Sequence, residues 1–230
     1  MFEYGRSSLI RPSPVQPLLG FDYATNSLFA AEAGVKYCSE CAAELRVIIP
    51  DGDHLPRHVC TACGAIHYRN PRVIVGAICE YEGRILMCRR AIEPRLGYWT
   101  FPAGFLEIGE TTADGAARET MEESGADVEI EDLCALINVP YIAQVYLSYR
   151  ARMCSPHHEA TPESSETVLI DPEDIPWDAL AFPTIWHSLR FWMADREAGT
   201  RGFHSLDLTQ RPRRPIDREQ SAAEHGGGKP

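Results

Sequence analysis

GFLEIGETTADGAARETMEESGA, at residues 104–126, is the stretch from which the fold can be predicted. Thr111 followed three residues later by Asp114 is typical of a helix N-terminus, because both side chains can bond the free N–H groups of the first turn. Gly125 is typical of a helix end, since glycine adopts the left-handed backbone conformation without strain. The stretch therefore predicts a tight turn followed by a helix over Thr111–Ser124.

Three glutamates of this helix fall on one face. Glu119 lies three residues before Glu122 and four before Glu123, and side chains at these spacings are neighbours. Like charges so placed repel, so the face needs a cation, and carboxylate oxygens favour Mg²⁺ or Mn²⁺. Two such ions can neutralise a diphosphate and activate a water for attack on phosphorus. Arg118 can hold a neighbouring carboxylate in place, and Gly104 lets its own carbonyl approach a metal.

The chain around this helix alternates between strands and helices. Short apolar runs and period-two alternation predict strands, and an amphipathic stretch that ends before a glycine predicts a second helix. The strands are expected at Arg72–Glu80, Arg84–Arg89, within Val128–Val139, at Gln144–Met153 and Glu166–Ile170, and the second helix at Pro183–Ala198. This order predicts an α/β domain with a mixed sheet.

Length and composition allow a buried core and argue against two kinds of partner. With 230 residues, of which 44% are hydrophobic, the chain can form one full domain and a small module. The net charge of -11 argues against a nucleic-acid surface, which needs clustered Lys and Arg. No run reaches the roughly 20 apolar residues of a membrane helix. We therefore expect a small-molecule partner, with neither nucleic acid nor a membrane.

Four segments of the chain differ in composition. Residues 1–33 contain Ser and Pro without sustained periodicity, which predicts a flexible extension, although the scarcity of acids leaves organellar targeting open. Residues 34–70 hold the paired cysteines, and residues 71–206 hold the α/β pattern. Residues 207–230 are polar, charged and rich in Gly and Pro, which predicts a disordered tail.

Four of the 8 cysteines form two C-x2-C pairs. Cys38 and Cys41 precede Cys60 and Cys63 by a spacing typical of a structural Zn²⁺ site with four thiolates. Charge in this segment is nearly balanced, which favours a docking or dimer-supporting module over nucleic-acid binding. The other cysteines lie in apolar or strand-like surroundings and are interpreted as small buried hydrophobes: Cys79, Cys88, Cys134 and Cys154. Nothing resembles a secreted disulfide framework, so we expect a reducing compartment, the cytoplasm.

The stretch at residues 104–126 matches all seven fixed positions of the Nudix box, G-x5-E-x7-R-E-U-x-E-E-x-G-U, where U is a large apolar residue. Each fixed residue type has a frequency of about 6%, so a chance match anywhere in the chain is about one in a million. Thr120 departs from the pattern and is expected to weaken local packing slightly. From about Arg72 to Gly202, the sequence resembles the Nudix hydrolases.

This resemblance implies a Nudix α/β/α sandwich with a mixed sheet, preceded by a small zinc ribbon with four cysteine ligands. It implies that Glu119, Glu122, Glu123 and the Gly104 carbonyl bind Mg²⁺ or Mn²⁺, while Arg118 orients Glu119. It also implies a homodimer.

The same resemblance implies a further carboxylate from a later loop, which would act as a metal ligand or a general base. Glu163 and Glu166 are the candidates. Glu166 is favoured because it abuts a strand, which would hold it more rigidly.

Segments that flank the box narrow the range of expected substrates. Two Nudix subgroups carry an N-terminal zinc ribbon, and the NADH pyrophosphatases place a Ser-Gln-Pro-Trp-Pro-Phe-Pro array after the box, where this chain has NVPYIAQVY at residues 138–146. HVCTACGAIHYRNPRVIVG, RRAIEPRLGYWTFPAGFLEIGET and DIPWDALAF resemble the plant-type FAD pyrophosphatases and their bacterial relatives. That resemblance implies hydrolysis of FAD and/or ADP-ribose with release of AMP. An NADH/NAD pyrophosphatase and a nucleotide-sensing regulator without turnover are the alternatives.

Contacts to the rest of the substrate are less defined by the sequence. Aromatic side chains can stack on rings and arginines can bind phosphate. The candidates are Arg89, Arg90, Tyr98, Trp99, Tyr141 and Gln144. Core packing is an equally good interpretation of Trp99 and Tyr141, and the polar run His157-His158-Glu159 is interpreted as solvated rather than metal-binding.

Overall fold

The computed structural model describes residues 35–209. The predicted flexible extension at residues 1–33 lies outside the described residues, and so do residues 210–230 of the predicted tail. A small sheet of three strands comes first in the described range, and an eight-stranded sheet follows.

The paired cysteines belong to the small sheet, which is antiparallel and has the order β1-β2-β3. Its strands are β1 (Leu45–Ile48), β2 (Arg57–Cys60) and β3 (Ile66–His67). Each cysteine pair lies on a turn of the same geometry. The Cys38 N–H donates to the Ala43 carbonyl, as the Cys60 N–H donates to that of Ala65. Two equivalent turns of this kind can present four thiolates to one ion.

The large sheet is mixed, as predicted. Its order is β10-β5-β4-β9-β8-β11, with β6 paired to β5 and β7 paired to β4. β4 runs parallel to β9, and β8 parallel to β11, while the other pairs are antiparallel. The strands are β4 (Arg72–Tyr81), β5 (Arg84–Arg90), β6 (Trp99–Thr100), β7 (Ala103–Phe105), β8 (Val128–Val139), β9 (Gln144–Met153), β10 (Ser164–Ile170) and β11 (His204–Asp207).

Two helices, α1 (Thr112–Ser124) and α2 (Pro183–Ala198), cover opposite faces of this sheet. Alternate residues of a strand point to opposite faces. Val75 of β4 therefore packs with Ala116 of α1, whereas Ile78 packs with Leu189 and Trp192 of α2. This arrangement confirms the α/β/α sandwich. No helix within residues 35–209 is long and apolar enough to span a bilayer.

Most predicted elements are found with shifts of one or two residues at their ends, and the last strand runs one residue past the predicted boundary at residue 206. β11 (His204–Asp207) pairs with β8, and the Leu208 N–H then donates to the Asn138 carbonyl. The sequence there is short and polar, so its strand character depends on pairing with a neighbour rather than on its own pattern.

A buried ion pair fixes the chain after α2 against the sheet. Arg150 of β9 and Asp195 of α2 are 6% exposed each, and the arginine donates to that carboxylate and to the Gly202 carbonyl. Asp195 also accepts the Gly202 N–H at 2.9 Å and faces the His204 ring nitrogen at 3.0 Å. The network positions the segment that leads into β11.

Candidate functional site

Helix α1 has the ends that its sequence predicts. Thr111 has an extended backbone and its hydroxyl accepts the Asp114 N–H, so the helix begins at the next residue, Thr112. Gly125 has a φ of 64° and its N–H donates to the Met121 carbonyl. These bonds set where α1 begins and ends, and the helix packs against β7, the strand that carries Gly104.

Two glutamates of α1 point inward, toward β7. Glu119 is 8% exposed and Glu123 is 5% exposed. The Glu123 carboxylate accepts the Ala103 N–H at 2.9 Å. The Glu119 carboxylate lies against Gly104, the next residue of the same strand. The two carboxylates therefore meet neighbouring backbone positions, while Glu122 stays more exposed on the same helix.

Gly104 has a second role that the sequence argument missed. A Cβ atom at this position would lie 2.2 Å from a Glu119 carboxylate oxygen and 2.3 Å from its carboxyl carbon. Only a residue without a side chain leaves this space free. Glycine is thus required here for the position of Glu119, besides the carbonyl approach that the sequence suggested.

Arg118 connects the acidic residues of the stretch. Its guanidinium donates to both carboxylate oxygens of Glu110, at 3.0 and 2.8 Å. It also donates to Glu119 at 2.8 Å and to Glu122 at 2.9 Å. A planar guanidinium can serve several carboxylates at once because its donors point in fixed directions. The predicted contact with Glu119 is found, and Glu110 is a further partner.

The carboxyl groups of the site differ in pKa because their surroundings differ. Burial raises the pKa of Glu119, and burial also raises the pKa of Glu123 to about 7, against the effect of the Ala103 N–H. Hydrogen bonds from Arg118 lower the pKa of Glu110 to about 2. Glu110 is therefore held as an anion that fixes Arg118, whereas the two buried groups gain most from an added cation.

The donor set fits a hard divalent cation, because all of its ligand atoms are oxygens and two of the carboxylates are poorly solvated. The helix carboxylates are spread along the face, with Arg118 between Glu119 and Glu122. Within residues 35–209, the four paired cysteines are the one group of three or more metal-ligating side chains whose ligand atoms all lie within 4.8 Å of one another. The assignment of the individual glutamates as metal ligands stays a prediction.

The two later carboxylates that the sequence offers, Glu163 and Glu166, have different surroundings. Glu166 pairs in register with Arg89 and lies 3.5 Å from its guanidinium. The charge of Glu163 adds to burial in raising the pKa of both Glu119 and Glu123. Thr161 holds this loop in place, because its hydroxyl donates to the Glu123 carbonyl and accepts the Glu163 N–H, each at 3.2 Å. The Glu163 carbonyl also accepts the N–H of Ala91, the residue after β5, at 2.8 Å, so the loop is held both by Thr161 and by the backbone next to this strand.

The two candidate arginines differ in their surroundings. Arg89 is exposed and faces Glu166, and its Nε donates to the Gly97 carbonyl. Arg90 is 9% exposed, lies over the Phe182 ring and is close enough for its charge to act on Glu123. Burial lowers the pKa of Arg90. Arg90 is thus the arginine nearer to the carboxylates.

Three of the other substrate candidates make contacts within the protein. Trp99 packs against the core beside α2, and its carbonyl accepts the Ala181 N–H. Tyr141 packs on the cluster around Ile137, and Gln144 is buried and accepts the Tyr146 hydroxyl. Core packing is therefore the better interpretation of Trp99, and no substrate contact is assigned to these three.

Two further sequence interpretations can be compared with the structure. Thr120 is fully buried, and its hydroxyl donates to the Ala116 carbonyl at 2.8 Å, so the polar atom has a partner in the core. His157 is exposed, while a ring nitrogen of His158 lies 2.8 Å from the Thr167 hydroxyl. His158 thus contacts β10, while His157 and Glu159 are exposed.

Sequence reasoning missed the Ala103 N–H, which binds Glu123. Any residue other than proline offers such a donor, so no side-chain pattern signals it.

The four paired cysteines converge as predicted. The sulfurs of Cys38 and Cys63 are 3.7 Å apart, and those of Cys41 and Cys60 are 3.4 Å apart. Four thiolates at about 2.3 Å from one Zn²⁺ in tetrahedral geometry would be about 3.8 Å apart, so the observed cluster fits the ion. The Cys63 N–H is the first of several bonds that lower the pKa of Cys60 to about 6. The backbone therefore favours the thiolate of Cys60, whereas contacts with neighbouring sulfurs raise the pKa of Cys63 and of Cys41.

Replacing Gly104 with alanine is expected to reduce turnover by about 10²-fold or more, because the new methyl group displaces the Glu119 carboxylate. Alanine at Gly109, where nothing lies within 4 Å of the added Cβ but φ is 97°, is the control for backbone strain. Initial rates and thermal melting would be measured for both. Wild-type activity in the Gly104 variant would refute the steric argument.

Comparison with known proteins agrees with this geometry. The family described as NUDIX domain matches residues 69–190, and the family described as Nudix N-terminal matches residues 36–69. A crystal structure of a NUDIX hydrolase from Nitrosomonas europaea is 45% identical with a TM-score of 0.75, and the alignment covers 76% of this chain and 100% of that one.

Curated relatives match over shorter stretches. An ADP-ribose pyrophosphatase of Methanocaldococcus jannaschii is 34% identical over 73 residues, which is 32% of this chain and 43% of that protein. A NAD-capped RNA hydrolase of Chromobacterium violaceum is 36% identical over 95 residues, 41% of this chain and 34% of that protein. The chain thus spans less than half the length of these two relatives.

Proposed function

The chain belongs to the NUDIX family of hydrolases, and from that premise we propose that it cleaves the diphosphate bond of FAD and/or ADP-ribose. Water is the co-substrate. FAD would yield AMP and FMN, and ADP-ribose would yield AMP and ribose 5-phosphate. Members of this family require a divalent metal, and we propose Mg²⁺ or Mn²⁺ here.

The observation that carries this proposal is the pair of buried carboxylates on α1. Glu119 and Glu123 lie against neighbouring residues of β7, and burial disfavours their charged forms. A protein keeps two such groups together where a cation binds them. A bound divalent cation supplies neutralisation of the diphosphate charge and a more acidic water.

Residues around this pair have positioning roles in the proposed reaction. Arg118 holds Glu119 and Glu122 in fixed orientations, and Glu110 fixes Arg118 in turn. We propose that Glu163, whose charge raises the pKa of both Glu119 and Glu123, accepts a proton from the attacking water or completes the ligand set. Such fixed geometry lowers the barrier because little reorganisation is needed during the reaction.

Support for the substrate comes from two sources. The segments around the box resemble the plant-type FAD pyrophosphatases, and the Methanocaldococcus jannaschii relative is named for ADP-ribose. Both compounds contain the same ADP half, so one diphosphate site can serve both. Homodimerisation and a cytoplasmic location stay predictions.

The second candidate is hydrolysis of NADH or NAD at the same bond. The Chromobacterium violaceum relative, named as a NAD-capped RNA hydrolase, is 36% identical over 95 residues, which makes this candidate as plausible as the first. The absence of the Ser-Gln-Pro-Trp-Pro-Phe-Pro array at residues 138–146 argues against it.

A substrate panel separates these candidates. The purified full chain would be incubated with Mg²⁺ or Mn²⁺ and with FAD, ADP-ribose, NADH or a dinucleoside polyphosphate, and AMP would be quantified. Higher kcat/KM on FAD or ADP-ribose supports the proposal, and preference for NADH selects the second candidate. Tight nucleotide binding without hydrolysis of any compound would instead indicate a regulator.

A further inference from the structure

His67 contacts the cysteine cluster from β3. It lies on β3, after the second cysteine pair, yet its Nε2 is 3.3 Å from the sulfur of Cys38 in the first pair. The contact links two parts of the chain that are 29 residues apart. The contact therefore links β3, the strand after the second cysteine turn, to the first cysteine turn.

This nitrogen does not belong to the ligand set itself. The four cysteine sulfurs lie within 4.8 Å of one another, and among the described residues no fifth side chain joins that group. Four thiolates already complete the tetrahedral coordination of Zn²⁺. His67 is thus adjacent to a ligand and lies outside the group that would hold the ion.

The two cysteine turns share the same backbone bond, but a histidine follows only the second of them. Backbone N–H groups donate to Cys38 from Glu40 at 3.4 Å and to Cys60 from Cys63 at 3.5 Å. Seven residues after Cys60 the chain has His67, but seven residues after Cys38 it has Leu45. The strand after the second turn, β3, therefore provides one additional donor to the first turn.

Cys38 is one of the two buried cysteines of the cluster, the other being Cys60. Cys38 is 3% exposed, so water solvates its sulfur poorly. Four thiolates around one divalent cation leave an excess of two negative charges, and donors close to the sulfurs stabilise that charge.

We propose that His67 is a positioning residue of the zinc ribbon: its Nε2–H donates to the Cys38 thiolate, stabilises its negative charge and holds the first turn against β3. Loss of this donor leaves the four cysteine ligands in place but lowers their affinity for the ion. Partners of this kind typically change metal affinity by about 10- to 100-fold.

The test compares two replacements of similar length in the full chain, His67→Gln, which keeps an N–H donor, and His67→Met, which has none. His58→Met is the matched control, because His58 pairs with His67 in register and is also half-buried. Zinc content and the rate of zinc transfer to a colorimetric chelator would be measured at one pH. Circular dichroism before chelation would show that each variant is folded.

We expect zinc transfer to be about tenfold faster or more for His67→Met than for wild type, with His67→Gln in between and His58→Met within about twofold of wild type. Equal rates for His67→Met and wild type would overturn the proposal. Equal acceleration by Gln and Met would also overturn it, since that outcome indicates packing rather than hydrogen bonding. A wild-type chain without zinc would overturn it as well. If His67→Met does not fold, His67→Gln with wild-type zinc retention supports the proposal and rapid loss from it contradicts the proposal.

Discussion

Replacing Glu123 with glutamine is expected to reduce turnover by about 10³-fold or more and to leave the folded protein at least as stable as wild type without added Mg²⁺ or Mn²⁺. A divalent cation supplies several kcal/mol of transition-state stabilisation, and about 1.4 kcal/mol corresponds to a factor of ten in rate. Glutamine retains an oxygen that can accept the Ala103 N–H, but it removes a charge that burial disfavours. Turnover should therefore fall while the stability of the metal-free protein does not.

The measurement pairs initial rates at saturating substrate with thermal melting. Glu119→Gln is expected to behave in the same way, because Glu119 is the second buried carboxylate. Glu197→Gln on α2 is the control, since Glu197 is exposed. Added Mn²⁺ should raise the melting temperature of wild type but not of the double Glu119/Glu123 variant. Retained turnover in either single variant would contradict the assignment of these glutamates as metal ligands.

Replacing Arg150 with methionine is expected to lower the free energy of unfolding by about 3–5 kcal/mol. The change leaves the buried Asp195 carboxylate without the guanidinium that compensates its charge, and it removes the donor to the Gly202 carbonyl. For a domain of this size the melting temperature would fall by about 10 °C. The segment that leads into β11 should lose its protection from proteolysis first, because this ion pair holds it.

Arg152→Met is the matched control for this effect. Arg152 lies on the same strand and pairs with Glu129, but both side chains are more than half exposed, at 56% and 63%. Exposed pairs contribute about 0–1 kcal/mol, so this variant should be almost as stable as wild type. If the Arg150 and Arg152 variants have a similar free energy of unfolding in urea, the buried ion pair stabilises the protein no more than the exposed one, and the prediction is wrong.

The functional site could be predicted in part, and the errors have physical causes. The glutamates of α1 were found because helix periodicity alone places i, i+3 and i+4 on one face. The sequence favours Glu166 because it abuts a strand, but it does not show that Thr161 fixes the loop of Glu163 to the end of α1. Trp99 has an aromatic ring that suits a substrate or a core equally well, and its packing beside α2 decides between them.

The sequence by itself determined the family, the acidic face of α1 and the four zinc-ligating cysteines, because these follow from spacing along the chain. Only the tertiary structure decided which carboxylates are buried and why Gly104 must lack a side chain. It also decided that β11 joins the sheet and that His67 reaches the other cysteine turn. These features depend on contacts between residues far apart in the sequence, and no local pattern encodes the distance between two such residues.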